Sequence, residues 1–218
     1  MTSVEQDKLA TKRKVIETAL TLFKVNGYHG TSVRDISKKA NVNIATISYY
    51  FKGKQGLLEH IIVEFLEGYV KILDQHCLLL YDKNAKKILK DLVEDVLNYY
   101  YIKKESTSIF YRELTLDSVF IREIMITYLT RERYIFSQIY DAIRYSNSKV
   151  TMPFSVFFVQ LKSFLSTPYL FPGYLNEVLY IQQNDLYFFE RYKEYVEKWI
   201  ESLLETDENI ISHVELSS

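Results

Sequence analysis

Ala45, Thr46, Ser48 and Tyr49, led by Ile44, fall on one side of a short predicted helix whose other side carries Ile47 and Phe51. Small, hydroxylated and aromatic side chains of these sizes fit against base edges and phosphates in a DNA groove. Lys54 adds a second piece of the same chemistry. It follows Gly53 at the start of a longer predicted helix, where the positive end of the helix dipole disfavours a cation. An anion bound at that point reverses the penalty, and the unpaired amides of a first helical turn bind it as well. A DNA phosphate is such an anion.

These side chains need a rigid frame, and the local sequence supplies one. Ser32 and Asp35 form an S-x-x-D capping box that starts one short helix at a defined residue. Asn43 caps the next, and Val42 is placed to pack on Ile47 as a hydrophobic staple. Only Asn41-Val42-Asn43 separates the two, the layout of a helix-turn-helix whose second helix enters the major groove. A first helix, about 8–25, carries Ile16, Ala19, Leu20 and Phe23 at helical spacing and ends at Asn26-Gly27, where a left-handed cap fits. A longer one runs from Lys54 to about Cys77 with Leu58, Ile61, Ile62, Phe65, Leu66, Tyr69 and Leu73.

Further helices are expected near 85–103, 106–116, 120–146, 153–167 and 184–204, so the predicted fold class is all-α. Three prolines and six glycines punctuate the chain, and no stretch alternates strictly as a strand would. Leu170-Phe171-Pro172-Gly173 reads as a loop. The expected division is a DNA-binding head over 1–53, a helical body over 54–206 and a disordered tail over 207–218.

Bulk properties exclude several classes. Hydrophobic residues make up 48% and charged residues 25% of the chain, as in an ordinary globular protein. The single cysteine, Cys77, excludes an internal disulfide framework and points to a reducing cytosol. The N-terminal MTSVEQDKLATKRK lacks the apolar core of a signal peptide, and no apolar run approaches the roughly 20 residues of a membrane span. A cytoplasmic protein without a membrane partner is expected. Charge is split along the chain: residues 1–60 hold ten Lys/Arg against five Asp/Glu, whereas the remainder holds 17 against 23. A basic end on an acidic body suits a polyanion partner.

The pattern G-x-x-x-T-S-V-R-D-I-x-x-x-A-x-V-x-x-x-x-I-x-Y-Y-F-x-x-K-x-x-L-L, from Gly27 to Leu58, resembles the DNA-binding domain of TetR-family regulators. With the first helix, the resemblance covers about residues 8–58. It implies a homodimer of nine or ten helices per chain, with N-terminal heads on palindromic double-stranded DNA and a C-terminal domain for dimerisation and, in most members, a small-molecule ligand. Carried over position by position, Arg34 lies near the DNA and reads a guanine. Asn43, Ile44 and Ala45 face the groove, and Thr46, Ser48, Tyr49, Tyr50 and Lys54 touch phosphates or bases. Two positions depart from the family pattern: Asn41 stands where glycine is preferred, and Ser48 replaces a usual tyrosine. Within the family, SYYFKGKQGLLEHI, FLEGY at 65–69 and YLFPGYLNEVLYIQ resemble the RefZ sub-family. Its members are sporulation-linked regulators that bind chromosomal motifs near the replication origin and act on the division protein FtsZ. That likeness implies a nucleoid-associated protein with FtsZ as its partner. The alternative is a ligand-released transcriptional repressor of a neighbouring operon.

Outside the head, Tyr99, Tyr100 and Tyr101, or Tyr187, Phe188 and Phe189, could line a pocket for an aromatic ligand, but core or dimer interface is the commoner use of such residues. The late helices, 153–167 and the one carrying Leu186, Phe189, Tyr192, Val196, Trp199, Ile200 and Leu203, are by family analogy those that pair across a two-fold axis. His60 and Glu64 sit four apart without a third ligand at suitable spacing, so no metal is expected. Cys77 reads as a buried structural thiol. Arg112-Glu113, Arg122-Glu123 and Arg131-Glu132-Arg133 read as solvated helical faces. There is no phosphate-binding glycine loop, no G-x-S-x-G turn and no clustered acid–base set, so neither an enzyme nor a cofactor is expected.

Overall fold

A computed structural model of the chain describes residues 3–81, 84–116, 118–147, 150–182 and 185–205. Among these there is no strand, and the elements are α1 (Ser3–Asn26), α2 (Val33–Ala40), α3 (Ile44–Phe51), α4 (Lys54–Leu78), α5 (Ala85–Ile102), α6 (Lys104–Leu114), α7 (Val119–Ile124), α8 (Thr130–Ser146), α9 (Phe154–Leu170), α10 (Pro172–Glu177) and α11 (Leu186–Glu205). A π-helical segment, Met125–Leu129, joins α7 to α8, so the single expected helix at 120–146 is continuous but changes pitch inside. Counted as one, that run makes ten helices. The all-α fold class stands. The tail expected at 207–218 lies outside the described residues.

Contacts divide the chain into two compact units: residues 1–68 with 103–124, and residues 69–102 with 125–218. The division falls inside α4, so the expected boundary at 53/54 lies within the first unit, which also takes in α6 and α7.

The first unit is built on the three helices of the head. α1 turns Val15, Ala19 and Phe23 inward at spacings of four, and Ile36, Ala40, Ile47 and Phe51 complete the same core from α2 and α3. The start of α4 closes it with Leu57, Leu58, Ile61 and Ile62. α6 packs against α1, and Phe110 meets Phe65 of α4 with ring centroids 5.5 Å apart. Glu113, expected on a solvated face, is buried in this unit, 3.9 Å from Arg112. α6 is packed on this side, which leaves only one of its faces for water.

In the second unit, α5 packs against both α8 and α11. α5 buries Leu89, Leu92, Val93 and Val96; α8 buries Ile135, Phe136, Ile139 and Ile143. Tyr69, Tyr100, Phe136, Tyr140, Phe157, Tyr169 and Phe189 are buried in this core with them. Tyr140 stacks on Phe157 at 4.6 Å, and Trp199 packs on Phe164 at 4.7 Å. Glu132 also departs from the solvated-face expectation. It is 2% exposed and accepts hydrogen bonds from Tyr69 and, at 2.7 Å, from the Lys162 ammonium. Charge pairing of this kind is what allows a carboxylate to be buried. Cys77 is half-buried.

Two helix boundaries correct the sequence expectations, each for a local reason. α9 continues three residues past 167, through Pro168. A proline inside a helix leaves the carbonyl four residues earlier without its donor; here that carbonyl, on Phe164, accepts from the Tyr192 hydroxyl of α11 at 2.7 Å. The expected loop at 170–173 is only a break at Phe171, because Pro172 takes the first position of α10, where its missing N–H costs nothing.

Candidate nucleic-acid interface

The frame around α3 is fixed by four backbone caps. The Ser32 hydroxyl accepts from the Asp35 amide at 3.2 Å, and the Asp35 carboxylate accepts from the Ser32 amide at 2.9 Å, which completes the capping box. The Ser32 hydroxyl also donates to the Asp35 carboxylate at 2.6 Å, and this bond, followed by that of the Ser32 amide, holds the Asp35 carboxyl below the usual carboxylate range. Asn41 ends α2 in the left-handed region with φ 51°, and its amide bonds the Lys38 carbonyl. The preferred glycine is therefore replaced by the residue type that best tolerates that conformation. The Asn43 side chain accepts from the Ala45 amide at 2.8 Å and starts α3. Lys52, with φ 58°, ends α3 by bonding Ser48.

The exit from α3 is tight. A Cβ on Gly56 would lie 1.9 Å from the Phe51 carbonyl oxygen, so the first turn of α4 can press on the end of α3 only without a side chain there. The first amide of α4 with a helical acceptor is that of Leu57, bonded to the Gly53 oxygen. The amides of 54–56 therefore precede the helical hydrogen-bond ladder.

On this frame the expected division of α3 holds: Ile47 is wholly buried and Phe51 is 4% exposed, whereas Ile44 is 42% and Tyr49 73% exposed. Ala45 and Ser48 are exposed with them, Thr46 and Tyr50 are half-buried at the edge, and Asn43 leads the row. Tyr49 and Tyr50 meet edge to face at 5.0 Å. Arg34 stands exposed on the first turn of α2. An exposed isoleucine and tyrosine held rigidly beside hydroxyls and a guanidinium form a surface suited to thymine methyls, phosphates and a guanine edge.

Lys54 also makes contacts that the sequence did not suggest. Its ammonium donates to the carbonyls of Tyr28 at 2.9 Å and Thr31 at 2.8 Å, and lies 4.3 Å from the centre of the Tyr28 ring. The α1–α2 turn that it grips is itself well braced. Gly27 adopts φ 73° and its amide bonds Phe23, while buried Thr31 donates its hydroxyl to Gly27 at 2.8 Å. Arg112 of α6 reaches the Phe23 carbonyl over a long 3.4 Å. Sequence reasoning missed Tyr28, Thr31 and Arg112, because contacts across 23 to 89 residues leave no periodic signal.

The other candidates are less productive. His60 lies 3.6 Å from Glu64 and packs near Phe51, and burial holds its imidazole below the ordinary range. Among the described residues no group of three or more His, Cys, Asp or Glu could hold a metal ion, and no helix is long and apolar enough to cross a membrane. In the second unit, Tyr101 stacks on Phe189 at 4.1 Å, and with Phe188, Tyr169 and Tyr192 borders a crevice of about 20 Å³, room for a water but not for an aromatic ligand. Tyr100 is in the core and Tyr187 is 78% exposed. A wider recess of about 610 Å³ lies between α5 and α11 and is lined by ion-paired side chains, with Lys90 bound to Glu197 and Glu201.

An all-helical chain with a helix-turn-helix head of this form defines a class of DNA-binding regulator. The model of "Bacterial regulatory proteins, tetR family" matches residues 15–61, and the chain belongs to the TetR family of bacterial transcriptional regulators. It is 46% identical over 199 residues to a Bacillus subtilis (strain 168) protein named "Probable HTH-type transcriptional regulator YttP", covering 91% of this chain and 96% of that protein. Over 51 residues, 23% of this chain and 27% of the relative, it is 39% identical to IcaR, the negative transcriptional regulator of the biofilm operon icaADBC in Staphylococcus aureus. Among solved structures, the TetR-family regulator PfmR of Thermus thermophilus shares the fold with a TM-score of 0.72 at 17% identity, over 89% of this chain and 99% of that one.

Proposed function

We propose that the protein works as a homodimer on palindromic DNA in the cytoplasm, reading sequence with Arg34, Asn43, Ile44 and Ala45 and holding the backbone with Thr46, Ser48, Tyr49, Tyr50 and the amides at the start of α4, where Lys54 stands. The observation that carries this is the exposed face of α3, with Ile44 42% and Tyr49 73% accessible on a helix capped at both ends. Dimerisation draws support from α9 and α11, which keep Val159 and Tyr195 exposed at 66% and 59%. Two-fold symmetry in the protein calls for two-fold symmetry in the site.

The role on the chromosome is RefZ-like: binding a few motifs, engaging the division machinery through FtsZ and acting in sporulation. Support comes from the three segments that resemble that sub-family. One of them contains Phe171, Tyr174 and Tyr180, exposed at 56%, 57% and 87%, an apolar surface open to a protein partner. The second reading, a repressor released by a small molecule, draws on the 610 Å³ recess between α5 and α11. Mapping bound sites across the genome separates the two. A few sites around the replication origin are expected; sites confined to the promoter of an adjacent operon favour the repressor, and no specific sites at all would remove sequence-specific binding.

A further inference from the structure

We infer that Lys54 is a positioning residue of the head rather than a phosphate contact, an inference that rests on the DNA-binding reading above. An ammonium has three N–H donors and no acceptor. Two of the donors go to Tyr28 O at 2.9 Å and Thr31 O at 2.8 Å, and the cation also stands 4.3 Å from the centre of the Tyr28 ring, within cation–π range. Two of its three N–H groups are thus committed to main-chain carbonyls, and a phosphate contact would have to use the third or displace one of them.

The same contacts explain why a lysine stands at the unfavourable end of a helix. The carbonyl dipoles of the α1–α2 turn lie against the lysine's own charge, and this offsets its penalty at the start of α4. What the bond accomplishes is geometric. α4 begins only two residues beyond the end of α3, across the left-handed Lys52 and Gly53. The turn that Lys54 grips leads directly into α2 through buried Thr31 and the Ser32 cap. The recognition helix is thus held at its N-terminal end by the α2–α3 turn and at its C-terminal end by Lys54, and both ties run back to the same stretch of chain. A lysine free to swing would leave the second end of α3 fixed only by packing.

The test uses the full-length protein and two DNA duplexes, one recovered from a random pool by selection with the wild-type protein and one of random sequence. Lys54→Met keeps an unbranched stem and removes the donors. Affinity for the selected duplex should fall about ten-fold or more, as expected for losing charged hydrogen bonds. The random duplex should be affected less, so the selectivity ratio falls. The slope of log K against log salt should stay at the wild-type value. Loss of about 0.9 in that slope, with selectivity kept, is the signature of a phosphate contact and would overturn the inference. So would wild-type affinity and selectivity together, or a lower melting temperature with the selectivity of the folded protein intact. Should Lys54→Met fail to fold, Tyr28→Leu removes only the ring and should lower selectivity about three-fold at constant slope; an unchanged ratio there counts against Lys54 in the same way. Failure of the wild-type protein to enrich any sequence is a distinct outcome, which rejects the DNA-binding reading itself and the positioning role with it.

Discussion

Individual side chains of the head divide into those that would read, those that would hold and those that shape. Arg34 is exposed on the first turn of α2, and Arg34→Ala should relax preference at one base pair at a cost of about 1–3 kcal/mol. Equal discrimination among single-base site variants would remove it from the reading set. Tyr49→Ala should instead weaken binding to every duplex at an unchanged salt dependence, since the backbone contact proposed for it comes from a neutral side chain that neutralises no phosphate. Ser32 belongs to the shaping group. Its hydroxyl and the Asp35 carboxylate cap each other's amides, so Ser32→Ala should lower stability by about 1 kcal/mol in denaturant titration, within the spread for caps. Folded Ser32→Ala protein with wild-type stability would show that the cap contributes nothing. The roles of Ser32, Asn41 and Asn43 were legible in the sequence, because caps act within three residues. That of Lys54 was not, because its acceptors lie 26 and 23 residues away.

At the scale of elements, helix ends were set by partners the local sequence does not contain. α9 crosses Pro168 because Tyr192 of α11 satisfies the carbonyl of Phe164. Burial pushes the Tyr192 hydroxyl pKa up to about 12, so it stays a donor across the working pH range. Tyr192→Phe should destabilise the protein by about 1–3 kcal/mol, the cost of a buried unpaired group. In a Pro168→Ala background the restored amide can bond Phe164 instead, and the same tyrosine substitution should cost clearly less. Equal costs in the two backgrounds, measured by a double-mutant cycle, would uncouple the hydroxyl from the proline. The periodicity that located α4, α5 and α11 worked because each buries a continuous apolar stripe. It could not foresee the π segment at 125–129, a local change of hydrogen-bond step within one apolar run.

For the molecule as a whole, the sequence suggested a cut between head and body at residue 53, whereas the packing joins the first half of α4 and all of α6 and α7 to the head. Glu113 of α6 is buried there, and burial holds its carboxyl above the ordinary range despite Arg112 and His29 nearby. A carboxyl raised in the folded state favours folding while protonated; that contribution is full below its unfolded pKa and is lost as pH rises through its folded one. Glu113→Gln, which stays neutral, should therefore gain in melting temperature relative to wild type as pH is raised from about 4 to 7. A difference that does not change with pH would show that Glu113 does not titrate against folding.

The all-helical class, the capped helix-turn-helix and the family could be read from residue order, because hydrophobic period, capping and the Gly27–Leu58 pattern are short-range properties of the chain. Folding was needed to show that Glu113 and Glu132 are buried, that Pro168 does not end its helix and that the Lys54 ammonium faces inward. Each of these depends on a donor, an acceptor or an apolar wall brought from a distant segment, and only the packed chain places them within a few ångströms of one another.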